Sequence, residues 1–319
     1  MSTNSIYHLK NLGLPALTSL EELANAMKLG SNTVRSLSIS SNSLYKTYNE
    51  PKKSGGVRKI SQPCRELKAI QSWILRNILD RLHCSPYSKG FEKGKSILDN
   101  AQPHVGASYL LSMDLEDFFP SISAYKVYGI FRTIGYNKEM SKLFTNLCTY
   151  YDSLPQGAPT SPKLANLTCS RLDSRIQGYA GPKGITYTRY ADDITLSANT
   201  AIKIEKAKIF IQKIIESEDL KVNESKTKVC GTKRQKKVTG LVLSDNNVGI
   251  GQAKYRELRA VLHHLFVGKS ADYSFINGWL SFIYSVDKKS YNQLYAVIRK
   301  LTEKYPQSVA INEIQKKIM

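Results

Sequence analysis

Apolar residues recur with helical spacing in several long stretches of the chain. Between residues 65 and 82 they fall on one helix face, at Leu67, Ile70, Trp73, Ile74, Ile78 and Leu82. The stretch 202–215 has the same period, and the chain from Gly251 onward predicts further helices. Two short helices around Gly30 are predicted within residues 18–37. The second contains a single Arg, which favours a packing extension over a helix-turn-helix reader of DNA.

Short runs of β-forming residues lie between these helical stretches. The segment Tyr187–Leu196 predicts a strand, a tight turn within Tyr190-Ala-Asp-Asp193 and a second strand. An apolar run predicts a strand that ends at Asp114, and 238–243 is predicted as one strand. Gly55-Gly56 predicts the turn of a hairpin. The pattern as a whole indicates an α+β fold.

The paired carboxylates of Asp192 and Asp193 are the first candidate chemistry. Neighbouring side chains on a strand point to opposite faces, so both can serve one site only at a bend. A lone Asp-Asp pair is usually a polar surface turn, and the pair becomes informative only if a third carboxylate, here Asp114, joins it. Such a cluster would favour Mg²⁺ and suits phosphoryl transfer with two ions, since no His or Cys is nearby in the sequence.

Charge and cysteine content narrow the class of protein. Lys and Arg number 46 against 26 Asp and Glu, a net charge of +20, which points to nucleic acid first and an acidic membrane surface second. No stretch of about 18 apolar residues and no signal-peptide core is visible, so we expect no membrane association. The five Cys lack a Cys-x-x-Cys pair, which argues against disulfides or zinc and fits a cytoplasmic location.

Three motifs in order resemble the palm motifs of reverse transcriptases. They are Asp114 with Phe119, the segment Leu154–Pro162, and Tyr190-Ala-Asp-Asp193. Asn100-Ala-Gln-Pro-His104 and Val238-Thr-Gly-Leu-Val242 resemble elements of bacterial retron reverse transcriptases, most closely the enterobacterial type. The resemblance runs from about Asn11 to Tyr305.

The resemblance implies a right-hand polymerase with an antiparallel palm sheet and a helical thumb. We expect an N-terminal helical extension in residues 1–45, fingers in 46–110, palm in 111–250 with a fingers segment at about 123–152, and an RNA-binding thumb in 251–319. Asp114, Asp192 and Asp193 would be the catalytic residues and would hold two Mg²⁺, with Mn²⁺ able to substitute.

The resemblance also implies binding residues. Nucleotide-binding candidates are Arg58, Lys59, Phe119, Gln156, Gly157 and Lys226, with Lys52 and Lys53 less favoured. The alternatives are a solvated basic hairpin, core packing for Phe119 and a solvated Lys226. RNA-binding candidates are Asn100, His104, Lys233, Arg234, Lys236, Lys237, Arg256 and Arg259. For His104 a structural role leads and RNA contact is the alternative.

The implied activity is RNA-directed DNA synthesis on the retron's cognate structured RNA. Priming from an RNA 2′-hydroxyl would give branched, RNA-linked DNA (msDNA), in anti-phage defence beside an effector protein. No second carboxylate cluster follows the thumb, so we expect template removal by a host RNase H. The rival interpretations are a group II intron-type reverse transcriptase, which usually has a longer tail, and a catalytically idle nucleic-acid-binding regulator.

Overall fold

The computed structural model describes residues 3–51 and 55–315. Lys52 and Lys53, the less favoured nucleotide-binding candidates, lie outside the described residues. The chain divides into two compact units. Unit 1 comprises Met1–Lys95, Leu111–Leu196 and Ile202–Lys228, and unit 2 comprises Ser96–Leu110, Ser197–Ala201 and Val229–Met319. Helices and strands occur in both, which confirms the α+β class.

The helices are α1 Thr3–Asn11, α2 Leu20–Met27, α3 Ser31–Ile39, α4 Arg65–Asn77, α5 Ile97–Ala101, α6 Ala124–Thr133, α7 Lys138–Cys148, α8 Ser161–Thr168, α9 Ser170–Ala180, α10 Ala201–Glu216, α11 Gly251–Phe266, α12 Tyr273–Val286, α13 Lys288–Lys304 and α14 Ala310–Gln315. The strands are β1 Tyr45–Pro51, β2 Val57–Pro63, β3 Tyr109–Asp114, β4 Thr186–Tyr190, β5 Asp193–Ala198, β6 Lys228–Cys230, β7 Lys237–Val238, β8 Leu241–Leu243 and β9 Val248–Gly249. None of the helices within the described ranges combines the length and apolar character needed to span a membrane.

Three sheets organise these strands. The first is the predicted hairpin, in which β1 and β2 pair antiparallel and Glu50 lies opposite Arg58. The second has the strand order β4-β5-β3-β6, so the strand that ends at Asp114 lies directly beside the strand that begins at Asp193. The third is the small antiparallel sheet β7-β8-β9. The second sheet thus brings the two carboxylate segments together.

Unit 1 has a core of buried aliphatic and aromatic side chains from its helices and from β5. The buried residues include Leu67, Ile70 and Ile74 of α4, Phe131 of α6, Phe144 of α7, Ile176 of α9, and Ile194 and Leu196 of β5. The predicted helix 65–82 ends early, because α4 stops at Asn77 and a 3₁₀ turn follows at Leu79–Arg81. The predicted helix 202–215 matches α10 closely.

Unit 2 has its own apolar core, formed by the C-terminal helices together with α5 and the third sheet. The core residues include Ala101, Val238, Leu241, Leu258, Leu262, Ile276, Leu280, Ile283, Leu294 and Ile298. The prediction of one strand over 238–243 is wrong, since β7 and β8 are two strands joined by a turn. Thr239 and Gly240 both have positive φ (46° and 85°), the backbone that a two-residue hairpin turn requires.

Candidate active site

Asp114 occupies the last position of β3 and is held by backbone contacts on both sides. The amide of Leu115 donates to the carbonyl of Asp192 (3.0 Å), and the amide of Asn223 donates to the carbonyl of Asp114 (2.8 Å). Only 8 % of Asp114 is exposed. These bonds fix the Asp114 backbone beside the Asp192 turn and beside the segment that leads to Lys226.

The turn between β4 and β5 consists of Ala191 and Asp192. Ala191 has φ 57°, a left-handed conformation that is uncommon for a residue with a Cβ. The turn interrupts the alternation of side chains along the strand, as required if Asp192 and Asp193 are to serve one site. The predicted strand, turn and strand are confirmed at the positions expected from the sequence.

The charge of Asp114 acts on the carboxyl groups of both Asp192 and Asp193. Burial and the charge of Asp114 raise the pKa of Asp192, whereas a hydrogen bond from its own backbone amide and the nearby Lys226 and Arg58 lower it, with a net rise. Asp193, the first residue of β5, is exposed as a whole, but desolvation of its carboxyl by the surrounding protein, followed by the charges of Asp192 and Asp114, raises its pKa to about 6. Crowded carboxylates of this kind are stabilised by a proton or a cation.

Lys226 contributes the positive charge nearest to this cluster. It ends a 3₁₀ turn at Glu224–Lys226, and its Nζ donates to both carboxylate oxygens of Asp114, each at 2.9 Å. This hydrogen bonding raises the pKa of the Lys226 ammonium. The side chain is half exposed (50 %), so the ammonium can also reach a bound anion. The position that the sequence matched to a triphosphate-binding lysine therefore lies at the carboxylates.

Strand β2 meets the loop that contains Gln156 and Gly157. The amide of Ser61 donates to the carbonyl of Gln156 (2.8 Å), and a Cβ added to Gly157 would lie 2.8 Å from the carbonyl oxygen of Ser61. With φ 133° as well, position 157 requires glycine for this close approach. On the same strand Arg58 is near enough to lower the pKa of Asp192, and Lys59 is exposed.

Phe119 lies in the short segment that follows Asp114. Its ring is half-buried, 5.4 Å from the centroid of Phe118 and 6.1 Å from that of Phe91. Phe118 is buried and belongs to the core. Phe119 is therefore partly a packing residue and partly available to a ligand, which accommodates both interpretations drawn from the sequence.

A buried ionic cluster behind the turn was missed by the sequence analysis. Arg189 on β4 has no exposed surface, and its Nε and Nη2 donate to the two carboxylate oxygens of Asp173 (2.7 and 2.8 Å). Its Nη1 donates to the carbonyl of Ala191 and to Oδ1 of Asn166 (both 3.0 Å), and the hydroxyl of Tyr187 donates to Asp173 (2.7 Å). An Arg inside a strand, three residues before Asp192, was the available signal.

The Gly- and Lys-rich segment 88–95 also supports the turn. The amide of Lys89 donates to the carbonyl of Arg189 (2.7 Å), and the amide of Arg189 donates to the carbonyl of Tyr87 (2.9 Å). A Cβ on Gly90 would lie 2.6 Å from the amide nitrogen of Ala191. Such proximity depends on the tertiary fold, and no local sequence pattern predicts it.

The predicted RNA-binding residues fall into two groups, both in unit 2. Asn100 and His104 are fully buried, and Nδ1 of His104 is 2.7 Å from Oγ of Ser197. Because neither side chain presents surface to RNA, the prediction of RNA contact is corrected for these two residues, and the structural role is favoured. The other group lies at the surface: Lys233, Arg234, Lys237, Arg256 and Arg259 are exposed and Lys236 is partly exposed.

The donor set at Asp114, Asp192 and Asp193 fits a hard divalent cation, because all the available ligands are carboxylate oxygens. Within residues 3–51 and 55–315, however, no three His, Cys, Asp or Glu side chains are arranged as a ready metal site. The ammonium of Lys226 engages both oxygens of Asp114. The two-ion site therefore remains a prediction with suitable ligands.

Comparison with known proteins gives a family. Residues 50–243 match the family described as reverse transcriptase (RNA-dependent DNA polymerase). The chain is 53 % identical over 301 residues to the retron Ec86 reverse transcriptase of Escherichia coli, covering 94 % of each chain. It is 35 % identical to the retron Mx65 reverse transcriptase of Myxococcus xanthus, covering 80 % of this chain and 65 % of that protein, so it spans slightly less than two thirds of the latter.

Among solved structures, telomerase from Candida albicans in complex with a fragment of telomeric RNA superposes with a TM-score of 0.48 and 13 % identity. That match covers 86 % of this chain and 63 % of the telomerase chain. The predicted fold class, a right-hand polymerase of α+β type, is confirmed by the family match. The family, and the match to the E. coli retron enzyme over nearly the whole chain, identify the reaction as RNA-directed DNA synthesis from dNTPs on an RNA template. This chain is thus a member of the reverse transcriptase family and, within it, of the retron reverse transcriptases.

Proposed function

We propose that this chain copies part of a dedicated, structured non-coding RNA into msDNA, a single-stranded DNA that stays linked to RNA. Synthesis begins at a 2′-hydroxyl inside the RNA, so the product is branched. The observation that carries the proposal is the meeting of Asp114, Asp192 and Lys226 at the ends of neighbouring strands. The similarity to the retron Ec86 reverse transcriptase supports the choice of template.

In this proposal Asp114, Asp192 and Asp193 hold two Mg²⁺, for which Mn²⁺ can substitute. When bound, the ions supply activation of the attacking hydroxyl and neutralisation of the leaving pyrophosphate. The hydroxyl oxygen forms a bond to the α-phosphorus of the dNTP, and the bond from that phosphorus to pyrophosphate breaks. Lys226 and Arg58 stabilise the negative charge of the phosphates, since both already act electrostatically on the carboxylates.

The nucleotide lies against the surface formed by β2 and the 156–157 loop. Arg58 and Lys59 contact the phosphates, and Gln156 and Gly157 lie beside the base pair being formed. Support comes from the hydrogen bond that joins Ser61 to Gln156, because it brings these positions to one place. Phe119 lies under the sugar and excludes a 2′-hydroxyl.

The RNA is held by the basic surface of unit 2. The exposed residues Lys233, Arg234, Lys237, Arg256 and Arg259, with Lys236, contact phosphates and position the strand without reading its sequence. The fingers, palm and thumb boundaries given above belong to the proposal. So do a cytoplasmic location, an effector protein of the same system, host RNase H for template removal, and a role in anti-phage defence.

Primer extension tests the catalytic part. With Mg²⁺ and dNTPs, Asp114→Asn and Asp192→Asn should abolish DNA synthesis, because each removes charge from the carboxylate cluster, while RNA binding survives. Asp152→Asn, a change at an exposed aspartate of the loop between α7 and α8, is the matched control and should leave synthesis intact. Wild-type protein that binds RNA but incorporates no dNTP would favour the idle regulator.

The nucleic acid that co-purifies with the chain tests the retron part. Sequencing should find one RNA species, with DNA joined to a single internal nucleotide through a 2′-linkage. Debranching enzyme should release the 5′ end of that DNA. DNA that already carries a free 5′ end would contradict priming from a 2′-hydroxyl, although the polymerase assignment would stand.

A further inference from the structure

Phe91 has an unusual backbone for an aromatic residue. Its φ is 60°, in the left-handed region that bulky side chains rarely adopt. Nearly half of the residue (47 %) is exposed, so burial of the ring does not offset the backbone strain. The side of the loop that faces α8 borders a polar cavity of about 290 Å³ lined by Phe91, Ser88, Glu92 and Lys163. Core packing therefore does not account for the phenyl ring at this position.

The residues on either side of Phe91 are held firmly, which explains how the strained backbone persists. Gly90 lies against the amide of Ala191, and its carbonyl accepts from Nδ2 of Asn166 (2.7 Å). The carboxylate of Glu92 accepts from Nζ of Lys163 (2.8 Å) and from Nδ2 of Asn166 (2.9 Å). The loop is thereby fastened to the turn that bears the catalytic carboxylates, and strain of this kind is typical of functional sites.

The ring of Phe91 meets one functional candidate. Its centroid is 6.1 Å from that of Phe119, with the two planes tilted by 43°. On another side Phe119 contacts Phe118, which is buried. Phe119 therefore has one immobile neighbour in the core and one exposed neighbour on the fastened loop. Without Phe91, the Phe119 ring would lose this aromatic neighbour and keep Phe118.

We propose that Phe91 is a positioning residue whose ring holds Phe119 in the orientation that discriminates deoxyribonucleoside from ribonucleoside triphosphates. The inference rests on the proposed role of Phe119 under the sugar. A ring that excludes a single hydroxyl must be held to within a fraction of an ångström, and a tilted aromatic neighbour restricts its rotation. Selectivity for the sugar thus depends on a residue that need not touch the nucleotide.

The test is the ratio of kcat/KM for a dNTP to that for the matching rNTP, measured in single-nucleotide extension. Phe91→Ala and Phe91→Asn should lower this ratio roughly 2- to 12-fold, the range that one aromatic pair is worth. Phe91→Tyr should keep it. Asn tolerates the left-handed backbone, so the second variant guards against a folding defect in the first. Phe210→Ala, which removes an exposed ring from α10, is the matched control and should leave the ratio unchanged.

A double-mutant cycle separates positioning from direct contact. In a Phe119→Ala background, Phe91→Ala should cause no further change in the ratio, because the ring that it positions is gone. An equal effect in both backgrounds, or an unchanged ratio in Phe91→Ala and Phe91→Asn, would overturn the proposal. Failure of the wild type to incorporate dNTPs would instead reject the proposed function, and the two failures are thus distinguished.

Discussion

Arg189 connects a buried ion pair to the turn that precedes Asp193. Its guanidinium is fully buried and pairs with both oxygens of Asp173, while Nη1 donates to the carbonyl of Ala191 in the turn that contains Asp192. Bidentate pairing of this kind uses the planar fork of arginine, which lysine cannot reproduce. The left-handed backbone of Ala191 is thus supported from inside the protein.

Removal of this guanidinium should be costly. Arg189→Met leaves Asp173 as a buried charge without its partner, so we expect a loss of about 3–5 kcal/mol in the free energy of unfolding. Urea denaturation measures it. Arg175→Met is the control, because Arg175 is partly exposed and pairs with Glu218 at the surface, where about 1 kcal/mol or less is expected. Equal losses in both variants would contradict the assigned importance of the buried pair.

His104 should make the protein sensitive to mild acid. Burial lowers its pKa from 6.5 to about 4. Between pH 6.5 and about 4, His104 is protonated in the unfolded chain but stays neutral in the folded protein. The free energy of unfolding is therefore largest above about pH 6.5 and falls as the pH drops toward 4. The loss should reach about 3 kcal/mol, at about 1.4 kcal/mol per pH unit.

Thermal melts of wild type and His104→Gln between pH 4 and 7 measure this effect. The variant starts from a lower stability, since it alters a buried contact with Ser197. Its melting temperature should nevertheless vary less with pH over that interval. Parallel pH profiles for the two proteins would show that another group is responsible.

At the scale of elements, the sequence correctly predicts the helices and strands that are determined by neighbouring residues. The strand, turn and strand around Asp192 combine β-forming residues with a polar turn, and β3 ends at Asp114 as expected. At the start of α2, Ser19 accepts from the amide of Glu22, although Thr18-Ser-Leu-Glu21 has the same capping-box spacing one residue earlier. Both spacings satisfy the same motif, so only the structure decides between them.

What the sequence does not predict depends on distant contacts. The 238–243 segment has apolar residues on both sides of Thr239-Gly240, and a threonine does not by itself signal the positive φ that divides the segment into two strands. The Asn166 amide that links Gly90 to Arg189 joins residues far apart in the chain. Likewise, the ring contact of Phe91 with Phe119 brings together two segments that no periodicity connects.

The hairpin of β7 and β8 in unit 2, with Lys237 in β7 and Lys236 just before it, supplies a prediction at this scale. Replacing Lys236 and Lys237 by Gln should weaken RNA binding and flatten its dependence on salt, by roughly 0.7–0.9 in the log–log slope for each lost phosphate contact. Replacing Lys206 and Lys213 of α10, which are also exposed, removes the same charge from unit 1 and is the control. An unchanged slope in the hairpin variant would exclude these lysines from RNA contact.

At the scale of the whole molecule, the net charge of +20 is spread over both units. Like charges repel, and a polyanion that neutralises them releases counterions, so RNA binding should strengthen steeply as salt is lowered. Part of that affinity is independent of sequence. Affinities for different RNAs should therefore be compared at one ionic strength. There we expect the proposed structured template to bind more tightly than unrelated RNAs of the same length.

The two compact units are a coarser division of the chain than the four parts that we propose, and they group some residues across linear order. Ser96–Leu110, expected in the fingers, groups with the C-terminal helices in unit 2. The contacts responsible are long-range: the hydroxyl of Thr239 donates to the carbonyl of Ile97 (3.3 Å), and the amide of Gly106 donates to that of Ser244 (3.4 Å). Linear order alone does not reveal such grouping.

The guanidinium of Arg189 serves two purposes at once, and this has a practical consequence. Because the same group closes a buried ion pair and holds the Ala191 carbonyl, we expect heat that loosens the pair to displace Asp192 and Asp193 as well. Temperature-sensitive alleles, which are active at low temperature and inactive at higher temperature, are therefore expected to concentrate in this cluster: Asn166, Asp173, Tyr187 and Arg189. Such alleles would let DNA production be switched off in living cells by a shift of a few degrees.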